Sequence, residues 1–401
     1  MPLKNKKIVI PEGFVFSSAK AGIKVSETDD MGLIFCPSGA IASGVFTKNK
    51  VKAAPVVDAQ RKLRRTGRIY AIVANSGCAN ACTGIQGMDD LKRITDSVAS
   101  KLGVSEKQVI MASTGIIGKR LPVRKMLKQI DRLVIELGRA SPVDFARAIM
   151  TTDRFPKVVS KRVKVAGSYG SILGIAKGAG MIFPNMATML CFILTDIPIE
   201  KDAMKRILLQ SVEETFNCIT VDNDMSTNDT VLLLSSCRSW GRPVSLKDRT
   251  LSAVQDVITE VMDSLARMIV SDAEGASKTI EVILRGAGSV SEAKKAARAV
   301  AGSLLVKTAI YGADPNWGRI MAALGGSGIR LEQEKVHIKI NGIRIVKNGI
   351  ATPMLPKAKE KMKNSKHVII EIELMQDGYT AKALGCDLTE EYVRFNAHYT
   401  T

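Results

Sequence analysis

The 401-residue sequence predicts a mixed α/β protein. Three observations carry that expectation. Short apolar runs alternate with stretches of helical periodicity along the chain. Helix start and stop residues flank several of the periodic stretches. The last third changes to period-two alternation interrupted by Asn-Gly and Asp-Gly turns. The length points to two or more domains, and 46% hydrophobic content is enough for a large core.

In chain order, Ile69 to Ala74 reads as a buried strand ending in the turn-prone Asn75-Ser76-Gly77. Leu91, Ile94, Val98 and Leu102 recur at helical spacing, and Gly103 is a natural C-terminal stop. Ser141-Pro142-Val143-Asp144 reads as an N-cap, a first-turn proline and an acidic N3 residue, opening a helix toward Met150. Met204, Ile207, Leu208, Val212 and Phe216 predict a further amphipathic helix, and Leu251 through Leu265 another. Beyond a boundary near residue 284, Val336, Ile338 and Ile340 lead through Asn341-Gly342 to Ile343 and Ile345, a hairpin. Val368 to Leu374, Gln376-Asp377-Gly378 and Tyr379 to Leu384 predict a second hairpin. The expected division is a core of residues 1–284 and a smaller, hairpin-rich α/β domain of residues 285–401.

The composition excludes more than it selects. No run is long and apolar enough to cross a membrane, and the N-terminus lacks the apolar core of a signal peptide, so a cytoplasmic protein is expected. Seven scattered cysteines contain no CxxC pair, and three histidines are too few for a convincing zinc site. Asp222, Asp224 and Asp229 lack the full EF-hand spacing and its terminal glutamate, and no metal is expected there. A net charge of +19 invites a nucleic-acid partner. Only 4% of residues are aromatic, however, and no stacking platform is legible, so a solvated basic surface that attracts anionic metabolites is the better reading.

One segment stands apart. Lys177 is followed by eighteen uncharged residues, Gly178 through Thr195, which include two early glycines, Pro184 and the apolar run Met189 to Leu194. Thr188 therefore stands where an irregular glycine-rich loop enters a buried strand, a place where a nucleophile can be held rigid with one side open. Spacing alone favours an ordinary buried strand behind a glycine loop.

Lys177-Gly-Ala-Gly-Met-Ile-Phe-Pro-Asn-Met-Ala-Thr-Met-Leu190 resembles the signature of the glutamate N-acetyltransferase (ornithine acetyltransferase) family of arginine biosynthesis. The resemblance is collinear and nearly full-length. It includes Gly44–Asn49, Ala53–Val56, Asn75–Gly84, Ser113–Gly118, Thr152-Asp153, Ser226–Thr230, Glu274–Lys278, Asp314–Arg319 and Asn396–Thr401. Cys78, the run Val221–Met225 and Ala273 depart from the usual pattern, which bears on substrate preference more than on reaction type.

The resemblance implies a layered sandwich similar to N-terminal-nucleophile enzymes and self-cleavage between Ala187 and Thr188. Thr188 would then be the acyl-accepting nucleophile, with its freed α-amine, of unperturbed pKa about 7.7–8, as the base. It implies acetyl transfer from N2-acetylornithine to glutamate, with Thr114 and Gly115 as the oxyanion hole. Thr151, Lys177, Thr188, Glu274, Asn396 and Thr401 would bind substrate, Lys177 meeting a carboxylate and Glu274 the ornithine ammonium. Without the resemblance, Thr114-Gly115 is an ordinary turn, Lys177 a loop lysine, Glu274 a first-turn acid, and Asn396 and Thr401 a frayed tail. No cofactor is implied. Family members differ in whether acetyl-CoA also serves as acetyl donor, and no motif here decides it. Two copies of each cleaved chain, a heterotetramer, are the implied assembly. A hydrolase of related architecture, in which water takes the acyl group, is the alternative.

Overall fold

The computed structural model describes residues 8–165, 168–183, 189–239 and 242–398. Its first eight strands are β1 (Val15–Ala19), β2 (Met31–Phe46), β3 (Ile69–Asn75), β4 (Val109–Ser113), β5 (Lys157–Val165), β6 (Ser168–Lys177), β7 (Leu190–Thr195) and β8 (Thr230–Ser235). They run in the order β4-β3-β2-β8-β7-β6-β5, with β1 also on β2. The long β2 is the splice. Met31–Phe35 pair with β1 and β3, and Ile41–Phe46 pair with β8.

The continuous sheet folds over itself, and side-chain alternation shows how. Leu190, Phe192 and Leu194 of β7 face a core shared with Ile34, Ile72 and Phe145, while Cys191 and Ile193 face the opposite way. That second face is covered by helices Lys201–Glu214 and Leu251–Ser271. On the far side, Met31, Leu33, Ala71 and Val73 pack against helices Gly84–Leu102 and Val123–Ile135. The layers are helix, sheet, sheet and helix, the sandwich anticipated above. All six residues of β7 are buried, as a strand covered on both faces requires.

Local signals mostly work as expected. Gly103 caps its helix at φ 69°. Ser141 and Asp144 form a reciprocal capping box, although the helix stops at Ala148, short of Met150. The helix expected to reach Phe216 ends at Glu214. There the Thr215 hydroxyl bonds back to Ser211 O at 2.6 Å, and Phe216 enters the core from a 3₁₀ turn, Phe216–Cys218.

The second sheet contains β9 (Thr279–Ala287), β10 (His337–Ile340), β11 (Ile343–Lys347), β12 (Ile350–Ala351), β13 (His367–Glu373) and β14 (Tyr379–Cys386). The order is β12-β11-β10-β13-β9-β14, and β9 spans the expected boundary at residue 284. The Asn341-Gly342 hairpin forms, with Ile340 opposite Ile343 and φ values of 48° and 79° in the turn.

The second expected hairpin does not form. β13 and β14 flank β9, the one parallel and the other antiparallel to it. The connecting turn arches over the end of β9, with Leu374 N bonded to Arg285 O and Gln376 N to Gly286 O. Turn residues mark a reversal, but they do not say whether a third strand lies inside it. The fully buried Ile280, Val282 and Leu284 of β9 take the centre, where both strand edges are paired.

Candidate active site

β4 and β6 end, and β7 and β8 begin, beside one cavity of about 170 Å³. Its lining includes Thr114, Gly115, Thr151, Lys177, Glu274 and Asn396, so six residues singled out from the sequence, scattered over 283 positions, converge. Ala187, Thr188 and Thr401 lie outside the described residues.

Lys177 is the last residue of β6 and is buried. Its ammonium donates to Thr151 Oγ1 at 2.8 Å and Thr114 Oγ1 at 3.1 Å. An ammonium has three donors, so these two bonds leave one for a ligand. Burial lowers the Lys177 pKa, opposed by Asp153 and reinforced by Lys157. Because both hydroxyls act as acceptors toward Lys177, each keeps its own hydrogen to donate. Asp153 anchors the wall behind them: its Oδ1 accepts from Gly178 N at 2.7 Å and its Oδ2 from Thr151 N at 3.1 Å.

Thr114-Gly115 follows β4 and leans on the 75–84 loop. Thr114 N donates to Asn75 O at 3.1 Å, and Asn228 Nδ2 ties both loops together through Ala79 O and Ser113 O. Gly115 sits at φ 126°, and a β-carbon there would stand 2.4 Å from Gly77 C. Only glycine fits this approach. A hydroxyl and a neighbouring backbone amide on a rigid turn at the cavity wall can serve a developing oxyanion.

The opposite wall is acidic. Glu274 N donates to Ala179 O at 3.1 Å, and a β-carbon at Gly180 would lie 2.4 Å from the Glu274 carboxylate. The final helix, Glu390–His398, closes over this wall: Asn396 Nδ2 donates to Glu274 Oε2 at 3.1 Å and the Tyr392 hydroxyl to Asp222 Oδ2 at 3.3 Å. Burial pushes the Asp222 carboxyl up and, with the nearby carboxylates of Asp222 and Glu274, the Tyr392 phenol as well. A cation at one end and carboxylates at the other suit a ligand with a carboxylate at one end and an ammonium group at the other.

Two aspartates fix the described ends of the segment around residue 188. Asp222 accepts from Met181 N at 2.6 Å and Ile182 N at 2.8 Å, and Asp229 Oδ1 accepts from Met189 N at 3.0 Å. Asp222, Asp224 and Asp229 thus do not converge on a common centre; Asp229 is in the core, and the other two line the cavity. Sequence reasoning missed Asp222 and Tyr392 as members of the site. The aspartate run drew notice only as a possible metal motif, and nothing local marks Tyr392 as a pocket residue.

Comparison with known proteins shows the family of the chain. A family model described as the ArgJ family matches residues 15–401. An arginine biosynthesis bifunctional protein ArgJ from Thermotoga neapolitana is 42% identical over 98% of this chain and 100% of its own. The protein of the same name from Nitratidesulfovibrio vulgaris is 42% identical over 97% of this chain and 98% of its own. Among solved structures, a chain of the Bacillus halodurans protein of that name is 40% identical with a TM-score of 0.51. It covers 52% of this chain and 98% of the solved one.

Proposed function

The chain belongs to the ArgJ family, and on that premise we propose that it is a glutamate N-acetyltransferase of arginine biosynthesis, working through Thr188 after cleavage at Ala187–Thr188. The observation that carries the reading is the bipolar cavity, with Lys177 bonded to two hydroxyls on one wall and Glu274 on the other. The solved relative adds support: it matches over almost its full length yet covers about half of this chain, as one product of a cut at 187/188 would.

In this mechanism Thr188 Oγ attacks the acetyl carbonyl of N2-acetylornithine, and its own α-amine takes the hydroxyl proton. The Thr114 hydroxyl and Gly115 N–H meet the oxyanion. Lys177 holds the α-carboxylate, assisted by the Thr151 hydroxyl, and Glu274, positioned by Asn396, holds the side-chain ammonium. Ornithine leaves with the proton, glutamate enters on the same Lys177, and its amine takes the acetyl group as the C–Oγ bond breaks, its released proton passing through the Thr188 α-amine to Oγ. The reading also gives Thr401 a substrate-binding role. No cofactor is required.

The word bifunctional in the relatives' name supports a second donor, acetyl-CoA, acting on the same threonine. Acetylglutamate formed from acetyl-CoA and glutamate without acetylornithine would establish it, and its absence would reject it. Among the described residues no helix is long and apolar enough to cross a membrane. We place the enzyme in the cytoplasm as two copies of each cleaved chain, with the exposed Leu304, Leu305 and Tyr311 offering an apolar contact face.

Intact-mass measurement of the denatured protein tests the core of the reading. Two fragments meeting at Ala187 and Thr188 are expected from the wild type, and one uncut, inactive chain from Thr188→Ala. A Thr188→Ala protein that still transfers acetyl would overturn the assignment. Free acetate in place of acetylglutamate would favour the hydrolase.

A further inference from the structure

Glutamate carries two carboxylates, and Lys177 is the only cation among the described residues that line the cavity. With its α-carboxylate on Lys177, glutamate turns its side-chain carboxylate toward Glu274, Asp222 and Asp224. That wall attracts the ammonium group of ornithine and repels a second anion. A neutral donor on the same wall is needed to offset the repulsion.

The helix Glu390–His398 brings such donors to it. It packs closely on Gly275, where φ is 68° and a β-carbon would stand 2.4 Å from Tyr392 N. The Thr389 hydroxyl donates to Gly275 O at 2.7 Å and accepts from Tyr392 N at 3.3 Å, which fixes the start of the helix beside Glu274. Tyr392 and Asn396, one turn apart, both line the cavity. Asn396 commits its amide hydrogens to Glu274 Oε2 and Tyr392 O, each at 3.1 Å. The Tyr392 phenol is less tied. It donates to Asp222 Oδ2 at a long 3.3 Å, and that carboxylate keeps the amides of Met181, Ile182 and Asp224 if the phenol turns away. Burial and the Asp222 and Glu274 carboxylates raise the phenol pKa, so its hydrogen stays in place. Thr152 and Ser226 also line the cavity, but among the described residues neither hydroxyl is bonded to a carboxylate of the acidic wall.

We infer that the Tyr392 hydroxyl donates to the side-chain carboxylate of glutamate and so lets a cavity built for a diamino acid accept a dicarboxylate. The inference rests on the acetyl transfer proposed above. With ornithine bound, the phenol stays on Asp222 and the acidic wall meets the ammonium group. When glutamate replaces ornithine, the phenol passes its hydrogen bond to the incoming carboxylate.

The test compares two acceptors for one acetyl-enzyme, in the wild type and in Tyr392→Phe, Ser226→Ala and Thr152→Val. The first acceptor is glutamate. The second is labelled ornithine, followed without glutamate as label entering acetylornithine. In Tyr392→Phe, KM for glutamate is expected to rise about 10- to 100-fold, the value of a hydrogen bond to a charged group, and KM for ornithine by less than about three-fold. Equal rises, or loss of both reactions, would overturn the inference, because the phenol would then only support the wall. An unchanged KM for glutamate would overturn it too, as would a larger glutamate-specific rise in Ser226→Ala or Thr152→Val. A wild type that transfers acetyl to neither acceptor, or to ornithine alone, overturns the acetyl-transfer reading itself and this inference with it.

Discussion

Two buried lysines stand almost side by side. Lys157 opens β5 opposite Ala176 of β6, and Lys177 is the next residue along. Both are buried, yet their surroundings are opposite. The Lys157 ammonium is clasped by Asp153 Oδ1 and Asp272 Oδ2, each at 2.6 Å, and Asp272 is held in turn by Arg154. Lys177 touches two hydroxyls and, among the described residues, no carboxylate in ion-pair contact. The first lysine has its counter-charge built in; the second is poised to take one from a ligand. A buried cation without a partner is expensive, and an enzyme keeps one where substrate supplies the missing charge.

Substitutions can break this contrast. The largest effect on folding is expected from Lys157→Ala, which leaves two carboxylates buried around a lost cation and should cost about 3–5 kcal/mol in urea unfolding. A loss under about 1 kcal/mol would remove the structural role given to Lys157. Thr114→Val keeps the volume but deletes a hydroxyl, and kcat should fall about 10²–10³-fold, with the fold intact by circular dichroism. Unchanged kcat with a raised KM would make Thr114 a binding residue alone.

Lys177→Met should instead raise KM about 10- to 100-fold, the value of a charge-assisted hydrogen bond. Its stability should move the other way from that of Lys157→Ala. Burial lowers the Lys177 pKa, so folding carries a penalty while the unfolded lysine is protonated. That penalty is present at neutral pH and disappears as pH rises from the folded-state pKa toward the unfolded value of about 10.4. Lys177→Met is therefore expected to melt above wild type at pH 7, with the gap closing as the pH approaches that value. A mutant that melts lower throughout would show that Lys177 is structural like Lys157. The smallest effect belongs to Asn396→Ala, which loses one exposed bond to Glu274; KM for acetylornithine should rise several-fold, about 1 kcal/mol, with kcat little changed.

The same contrast shows how far the sequence could be read. Lys177 stands out in the sequence because it precedes a long uncharged run with two early glycines that matches a family signature. Lys157 and Asp272 carry no comparable mark, and Asp153 stands out only within the motif Thr152-Asp153. Thr114, Gly115, Thr151, Glu274 and Asn396 came from resemblance, and the cavity brings them together; Asp222 and Tyr392, which complete its acidic wall, were not foreseen. Elements with strong local signals were legible, as with the Gly103 cap, the Ser141 box and the Asn341-Gly342 turn. The β13–β14 connection was misread because β9, nearly ninety residues upstream, occupies the space between its arms.

By itself the sequence determined what short-range chemistry controls. Alternation and capping set most strands and helices, glycine set the close turns, and the Lys177–Leu190 run carried the family signature. The tertiary structure decided the order of the strands in each sheet, the meeting of residue 114 with residue 396 at one cavity, and which buried charges are compensated. Periodicity and capping act over a few neighbouring residues. Desolvation and ion pairing depend on whatever the whole fold brings within a few ångströms, and that proximity is settled only when the chain has closed on itself.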